Sequence, residues 1–399
     1  MVPKGWRKSN FGELAFVKSG FAFKSTDFVE KSNNTCPIVR MSDLKNGQLA
    51  LDSAAHIPKE VTRGLERFLL SEGDFVFGMT GSLENNAFVF VEHLPCYLNQ
   101  RVGKLVAKNG DYEFTCHLFR SKYFSRKIDK LAAGAAQKNI SSSDIESLTV
   151  LVPPFPEQKK IARILSTWDK AIETIEKLIE NSQQQKKALM QQLLTGKKRL
   201  SGFSGEWNRV QLNDCAESLD NLRIPLNSDA RSKMKGNIPY YGANGILDYV
   251  NEYIFDETIV LLAEDGGNFK EFASKPIANI VYGKSWVNNH AHVLRAKDNT
   301  TNEWIYYLLV HKNIMGFVGG GTRAKLNKAN MLKIPMLLPS LEEQNEIVKI
   351  LSVIDREINL LESDYYCLNM IKQALMQQLL TGKRRVKIDE EDRSSASVE

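Results

Sequence analysis

The chain has 399 residues, too many for one ordinary domain, so two or three folding units are expected. Hydrophobic residues make up 43% and charged residues 25%, a globular balance, and no uninterrupted apolar run approaches membrane-spanning length. The net charge of +6 permits nucleic-acid binding without demanding it, while five scattered cysteines, none in a CxxC pair, argue against a disulfide framework or a thiolate zinc site.

In chain order, Met1 to Asn10 carries charge but no apolar core follows, so no secretory leader is expected and the cytoplasm is the natural compartment. Trp6 opens a region of short apolar patterns that includes the strand-like stretch Pro37 to Met41. Pro153-Pro154-Phe155-Pro156 then leads into a long helix. Its seam positions, Ile161, Leu165, Trp168, Ile172, Ile175, Ile179, Ser182, Lys186, Leu189 and Leu193, follow alternating steps of four and three, the pattern of a coiled-coil seam. Gly196 is placed to end the helix, and Lys197 to Arg199 suit its negative end. Trp207 opens a second region of similar patterns. After Pro339 a second helix carries Ile347, Leu351, Ile354, Ile358, Leu361, Leu368, Leu375 and Leu379 in the same register, with Gly382 at its end. The acidic, serine-containing stretch from Asp389 to Glu399 predicts a disordered tail.

The two halves are copies. Ala-Leu-Met-Gln-Gln-Leu-Leu-Thr-Gly-Lys stands at 188–197 and again at 374–383, an offset of 186, and Glu157-Gln158 match Glu343-Gln344 at the same offset. Gly134 to Ile140 align likewise with Gly320 to Leu326. Trp6 and Trp207 are 201 apart, so the second variable region is shorter by 15 residues (201 less 186). Both copies also place a lysine in the seam, Lys186 and Lys372. Each either fixes the register of a buried polar contact or snorkels to water. The economical arrangement packs the two helices antiparallel on each other, relating the halves by a pseudo-twofold axis.

This layout resembles the specificity subunits of type I restriction–modification systems. The stretches at 152–161 and 338–347, the two Leu-Leu-Thr-Gly endings and Ile238 to Ile246 carry the resemblance, which covers nearly the whole chain. It implies an α+β protein with two globular target-recognition domains, at 1–153 and 201–338. These are separated and braced by two antiparallel coiled-coil helices, at 154–200 and 339–386, and a tail at 387–399 follows. It also implies a non-catalytic, cytoplasmic, non-membrane subunit that reads a two-part sequence in double-stranded DNA. Two methylation subunits and two restriction subunits would be its partners, with S-adenosylmethionine, ATP and magnesium on those partners and no cofactor in this chain. The competing reading is a coiled-coil adaptor whose globular halves bind other proteins.

Candidate DNA contacts are polar side chains in glycine-rich turns, since arginine, lysine, asparagine and glutamine pair with base edges while serine and threonine hold phosphates. In the first half these are Arg40, Ser42, Lys45, Thr80, Asn99, Arg101, Gln137 and Lys138. In the second they are Tyr240, Tyr241, Asn244, Asn289, His290, Arg323 and Lys325, with Asn288 to His290 taking the place of Asn99 to Arg101.

Four look-alike motifs carry no catalytic or metal expectation. Val152-Pro153-Pro154-Phe155 lacks the polar first residue of an amino-methyltransferase box. Thr195-Gly196-Lys197 ends a helix, where a phosphate loop would begin one. His290 and His292 have strand spacing but no further ligand at a metal-site interval, and Glu264-Asp265-Gly266 reads as a turn after the strand Ile259 to Leu262.

Overall fold

The structure, a computed structural model, describes residues 2–45, 47–80, 85–131, 140–320 and 324–388. The chain forms two compact units, Met1–Glu176 with Ser363–Glu399, and Lys177–Glu362. The division falls inside both long helices, Phe155–Leu193 and Leu341–Leu379, each of 39 residues and therefore about 58 Å long. Each unit thus owns the start of one helix and the end of the other.

In the first unit, Arg7–Asn10 pairs antiparallel with Thr149–Val152, closing the domain just before the helix begins. A four-stranded antiparallel sheet follows in the order Ala15–Ser19, Val102–Ala107, Phe75–Gly78, Asn86–Phe88. A smaller sheet sets Thr35–Val39 between Ala55–Pro58 and Tyr97–Leu98. The helices Tyr112–Arg120 and Lys122–Leu131 cover the large sheet through Phe114, Phe119 and Phe124; the Phe119 ring meets Phe75 and Phe77, the Phe124 ring meets Phe11, and Phe114 is buried in the same core. Burying each such ring is worth about 1.5–3 kcal/mol.

The second unit repeats the plan. Asn208–Gln211 pairs with Pro335–Leu338, and a sheet runs Ala216–Ser218, Ala291–Ala296, Ile259–Ala263, Ala278–Val281. A further sheet is built on the hairpin Lys235–Gly242 with Gly245–Val250. Asn302–Leu309 stands where Tyr112–Arg120 stands in the first unit, but the described residues of this unit hold no counterpart of Lys122–Leu131.

The long helices are antiparallel, since in each unit the start of one meets the end of the other. Ile161 and Leu165 share a core with Leu379 and Leu380, and Ile347 and Leu351 share the other with Leu193 and Leu194. Every expected seam residue is buried or half-buried while the flanking positions are mostly exposed, as the four–three spacing predicts. Gly196 and Gly382 end the helices at φ values of 70° and 67°, a region that penalises any side chain with a Cβ.

The seam lysines fix register. Lys372 is buried and pairs with Asp169, and Lys186 pairs with Asp355 one repeat away. Burial and the neighbouring Arg120 charge pull the Lys372 ammonium below its ordinary pKa, against the opposing pull of Asp169. Replacing Lys372 by Met should cost about 2 kcal/mol, because Asp169 loses its nearest cation and keeps only Arg120 at 3.8 Å and His117 at 3.7 Å, and adding Asp169→Leu should recover part of that loss. Urea-unfolding midpoints of the single and double variants test this; equal midpoints would show that the pair is idle.

His117 is buried beside the same pair, its Nε2 3.1 Å from the Ser166 hydroxyl, which donates in turn to Glu113. Burial, reinforced by Lys372 and Arg120 and opposed by Asp169, lowers its pKa from 6.5 to about 4. The unfolded chain therefore takes up this proton first. Stability linked to His117 is intact above pH 6.5 and drains away as pH falls towards 4, by on the order of 3 kcal/mol. In His117→Gln that part of the acid loss should vanish, so parallel stability–pH curves for variant and parent between pH 7 and 4 would contradict the assignment.

Candidate nucleic-acid interface

Of the expected loop residues of the first unit, Thr80, Asn99 and Arg101 come together beside the stretch Val39 to Met41 at one end of the large sheet. Backbone bonds tie the loops there: Met79 N–H donates to Arg101 O at 3.0 Å, Ile140 N–H to Met79 O at 3.0 Å, and Asn99 N–H to Val39 O at 3.3 Å. Thr80 donates to the sulfur of Met41, closing the ring of loops. Arg101 is exposed, and Lys45 is exposed on the hairpin Leu44–Lys45 with Gln48–Leu49. Gln137 and Lys138 lie outside the described residues.

Arg40 and Ser42 do not simply project into solvent. Both serve Asp43, a buried carboxylate that accepts from the Arg40 backbone N–H at 2.9 Å, the Arg40 guanidinium at 3.4 Å and the Ser42 hydroxyl at 3.0 Å. The residue that shapes this loop is therefore Asp43, which the sequence reading passed over. Its place three residues after Arg40, at capping-box spacing, was the available signal.

The second unit reproduces the same backbone scheme with other side chains. Glu264 N–H donates to His290 O at 2.8 Å, Leu326 N–H to Glu264 O at 2.7 Å, and Asn288 N–H to Tyr241 O at 3.1 Å. Asn99 Oδ1 accepts from Arg101 N–H, and Asn288 Oδ1 accepts likewise from His290 N–H. The match of Asn99–Arg101 with Asn288–His290 read from the sequence is thus reproduced bond for bond. Asn289 and Asn244 are exposed, Asn244 donating to Gly266 O, and Arg323 lies outside the described residues.

Tyr240 departs from expectation. It is 1% exposed, with its hydroxyl bonded to the backbone of Leu226, because alternation along the strand turns it into a small core with Val250 and Trp286. It holds the hairpin in place, while Tyr241 is half-buried at the hairpin's end.

Behind these loops lies a polar network that sequence spacing could not show. His292 is buried, with Nδ1 2.7 Å from an Asp220 carboxylate oxygen and Nε2 2.8 Å from the Leu326 carbonyl oxygen. Arg223 binds Glu264 at 2.6 Å and the Ala291 carbonyl at 2.7 Å, and Lys325 sits 3.1 Å from Glu264. Burial alone would raise the Asp220 and Glu264 carboxyls. The bonds from His292 to Asp220, and from Arg223 and Lys325 to Glu264, instead hold both below the usual carboxylate range. Lys325 is therefore partly spent inside the protein, and His290 is fastened to Asp265 at 2.6 Å.

The two loop clusters thus share one backbone scheme and carry different side chains. The type I restriction modification DNA specificity domain matches residues 3–182 and 204–370. The chain belongs to this family. A putative type I restriction enzyme specificity subunit of Haemophilus influenzae is 43% identical over 157 residues, 39% of either chain. The putative MjaX specificity subunit of Methanocaldococcus jannaschii is 25% identical over 97% of this chain and 95% of its own. Among solved structures, the type I S subunit from M. genitalium shares the fold with a TM-score of 0.64 at 18% identity, covering 95% of this chain and 96% of that one. Among the described residues of this family member, no helix is long and apolar enough to cross a membrane.

Removing the Asp43 carboxylate tests how the first cluster is held. Asp43→Ala should cost about 2 kcal/mol, since the Arg40 N–H and guanidinium lose their acceptor. Amide exchange at Arg40 to Lys45 should accelerate well before global unfolding. Unchanged exchange in that segment would mean the loop is held by something else.

Proposed function

We propose that the chain is the sequence-reading subunit of a type I restriction–modification complex and catalyses nothing itself. Each globular domain reads one half of a split DNA target through its loop cluster, and the two long helices set the separation of the halves. The repetition of one backbone scheme with different side chains, Arg101 against His290 and Met79 against Glu264, carries this reading. A shared frame fixes where a base edge is met, and the changed side chains decide which base is accepted.

Two copies of one frame also suit two copies of a partner. We assign adenine methylation to two docked methylation subunits and cleavage to restriction subunits, with S-adenosylmethionine, ATP and magnesium held by those partners. Half-sites about one helical turn apart, roughly 34 Å, would place both readers on one face of the duplex.

The experiment is to co-express the chain with its methylation subunit in a host free of adenine methylation and map the modified adenines. A single split motif with a fixed spacer, lost when this chain is omitted, is the expected result. Methylation independent of the chain would overturn the assignment. In the same assay, four residues inserted before Lys186 lengthen the helix by about 6 Å and should lengthen the unspecified spacer by about one to two base pairs. An unaltered spacer would remove the helices from setting it.

A further inference from the structure

The first unit carries a cleft of about 910 Å³ between the helix Lys122–Leu131 and the last turns of the second long helix. Its floor is partly apolar, from Phe119, Tyr123 and Met376, but its rim is of one sign. Lys122, Arg126, Lys127 and Lys130 line one side and Lys383 the other, and no carboxylate of the described residues lines it. Phe124 and Ile128 anchor the basic helix in the core, which leaves Lys122, Arg126 and Lys130 exposed in steps of four residues, about 6 Å each. Like charges at that spacing repel, so a helix selected for stability alone would mix signs there. The helix's own carboxylate, Asp129, does not line the cleft.

The second unit has a matching cleft with fewer cations: Lys186, Lys187 and Lys312 line it, against five lysines and arginines on the rim of the first. Its wall repeats Met190, Gln191 and Thr195 for Met376, Gln377 and Thr381, but its volume is about 650 Å³, Asp355 lines it, and Lys186 is already paired with that carboxylate. The basic rim is therefore an addition to the first unit, made by a helix whose counterpart is missing from the described residues of the second. At its far end the cleft reaches Gly47, in the hairpin that presents Lys45 among the reading loops.

We propose that this rim grips the sugar–phosphate backbone of the duplex beside the half-site read by the first unit, a sequence-independent hold supplied by the row of cations on Lys122–Leu131, a helix with no counterpart among the described residues of the second unit. The proposal rests on the DNA-reading function above. A regular row of exposed cations continuous with a reading loop matches a strand of phosphates, and lysine stems lying over the apolar floor carry their charges to the rim.

The test uses the complex with methylation subunits and a labelled duplex containing the mapped target, titrated between about 50 and 200 mM salt. In the triple variant Lys122→Gln, Arg126→Gln, Lys130→Gln the slope of log affinity against log salt should become shallower by about 2–3, since each phosphate contact contributes about 0.9. The methylated motif should stay the same, and Lys187→Gln in the second unit should leave the slope unaltered. Because the three side chains are exposed, the melting temperature of the triple variant serves as the folding control. An unchanged slope in a folded triple variant that still binds its target overturns the grip and leaves the reading function standing. Loss of methylation-subunit capture with an unchanged slope would also overturn it, assigning the rim to an acidic protein surface. Failure of the parent complex to bind the target at all would overturn the reading function itself.

Discussion

A carboxylate withdrawn from water costs several kcal/mol unless donors surround it, and the first turn of each long helix contains one. Glu157 and Glu343 are both almost wholly buried. Glu157 accepts from the Trp6 indole at 3.0 Å and from both arms of Arg385 at 2.6 and 2.8 Å. Glu343 accepts from Trp207 at 3.1 Å and from Arg199 at 2.7 Å twice. Each arginine stands just beyond the end of the opposite helix and also reaches the backbone of the loop before the tryptophan, Lys4 or Gly205. One ion therefore fixes three things at once: where a domain begins, where one helix starts and where the other stops. The glutamine beside it completes the joint, Gln158 bonding Pro153 and Asp111, Gln344 bonding Pro339 and Thr300.

With the frame held so firmly at its joints and along the seam by Lys372–Asp169 and Lys186–Asp355, the loops at the head of each sheet are free to differ. They differ in kind. The first cluster is organised by one buried acid, Asp43, behind one cation, Arg40, and the serine Ser42; the second rests on a network of Asp220, Arg223, Glu264 and His292. A specificity protein gains from this separation, because changing the side chains at the loop surface need not disturb the backbone bonds that position them.

The repeat, the seam, the two glycine stops and the pairing of Asn99 with Asn288 were all legible in the sequence, because each is a local spacing or a match between copies. What escaped depends on contacts across long stretches of chain. The match between copies picked out Glu157 and Glu343, yet their arginine partners lie 228 and 144 residues away. The seam lysines left two outcomes open because their burial depends on Asp169 and Asp355 on the facing helix. Tyr240 looked available as one of a polar turn, and strand alternation sent it inward while Tyr241 stayed at the edge. The basic helix of the first unit could have been seen as cations four residues apart, but its meaning needed the absence of acid from the surface opposite.

The two units also differ in how they are written along the chain. The second, Lys177–Glu362, is contiguous, so every partner it needs has left the ribosome once Glu362 has. The first is split: Trp6 and Glu157 are made early, but Arg385 and the helix end that complete their joint are made last. During synthesis the middle of this protein can therefore close before its beginning, and the N-terminal reader waits with its helix-facing core uncovered until the final turns emerge.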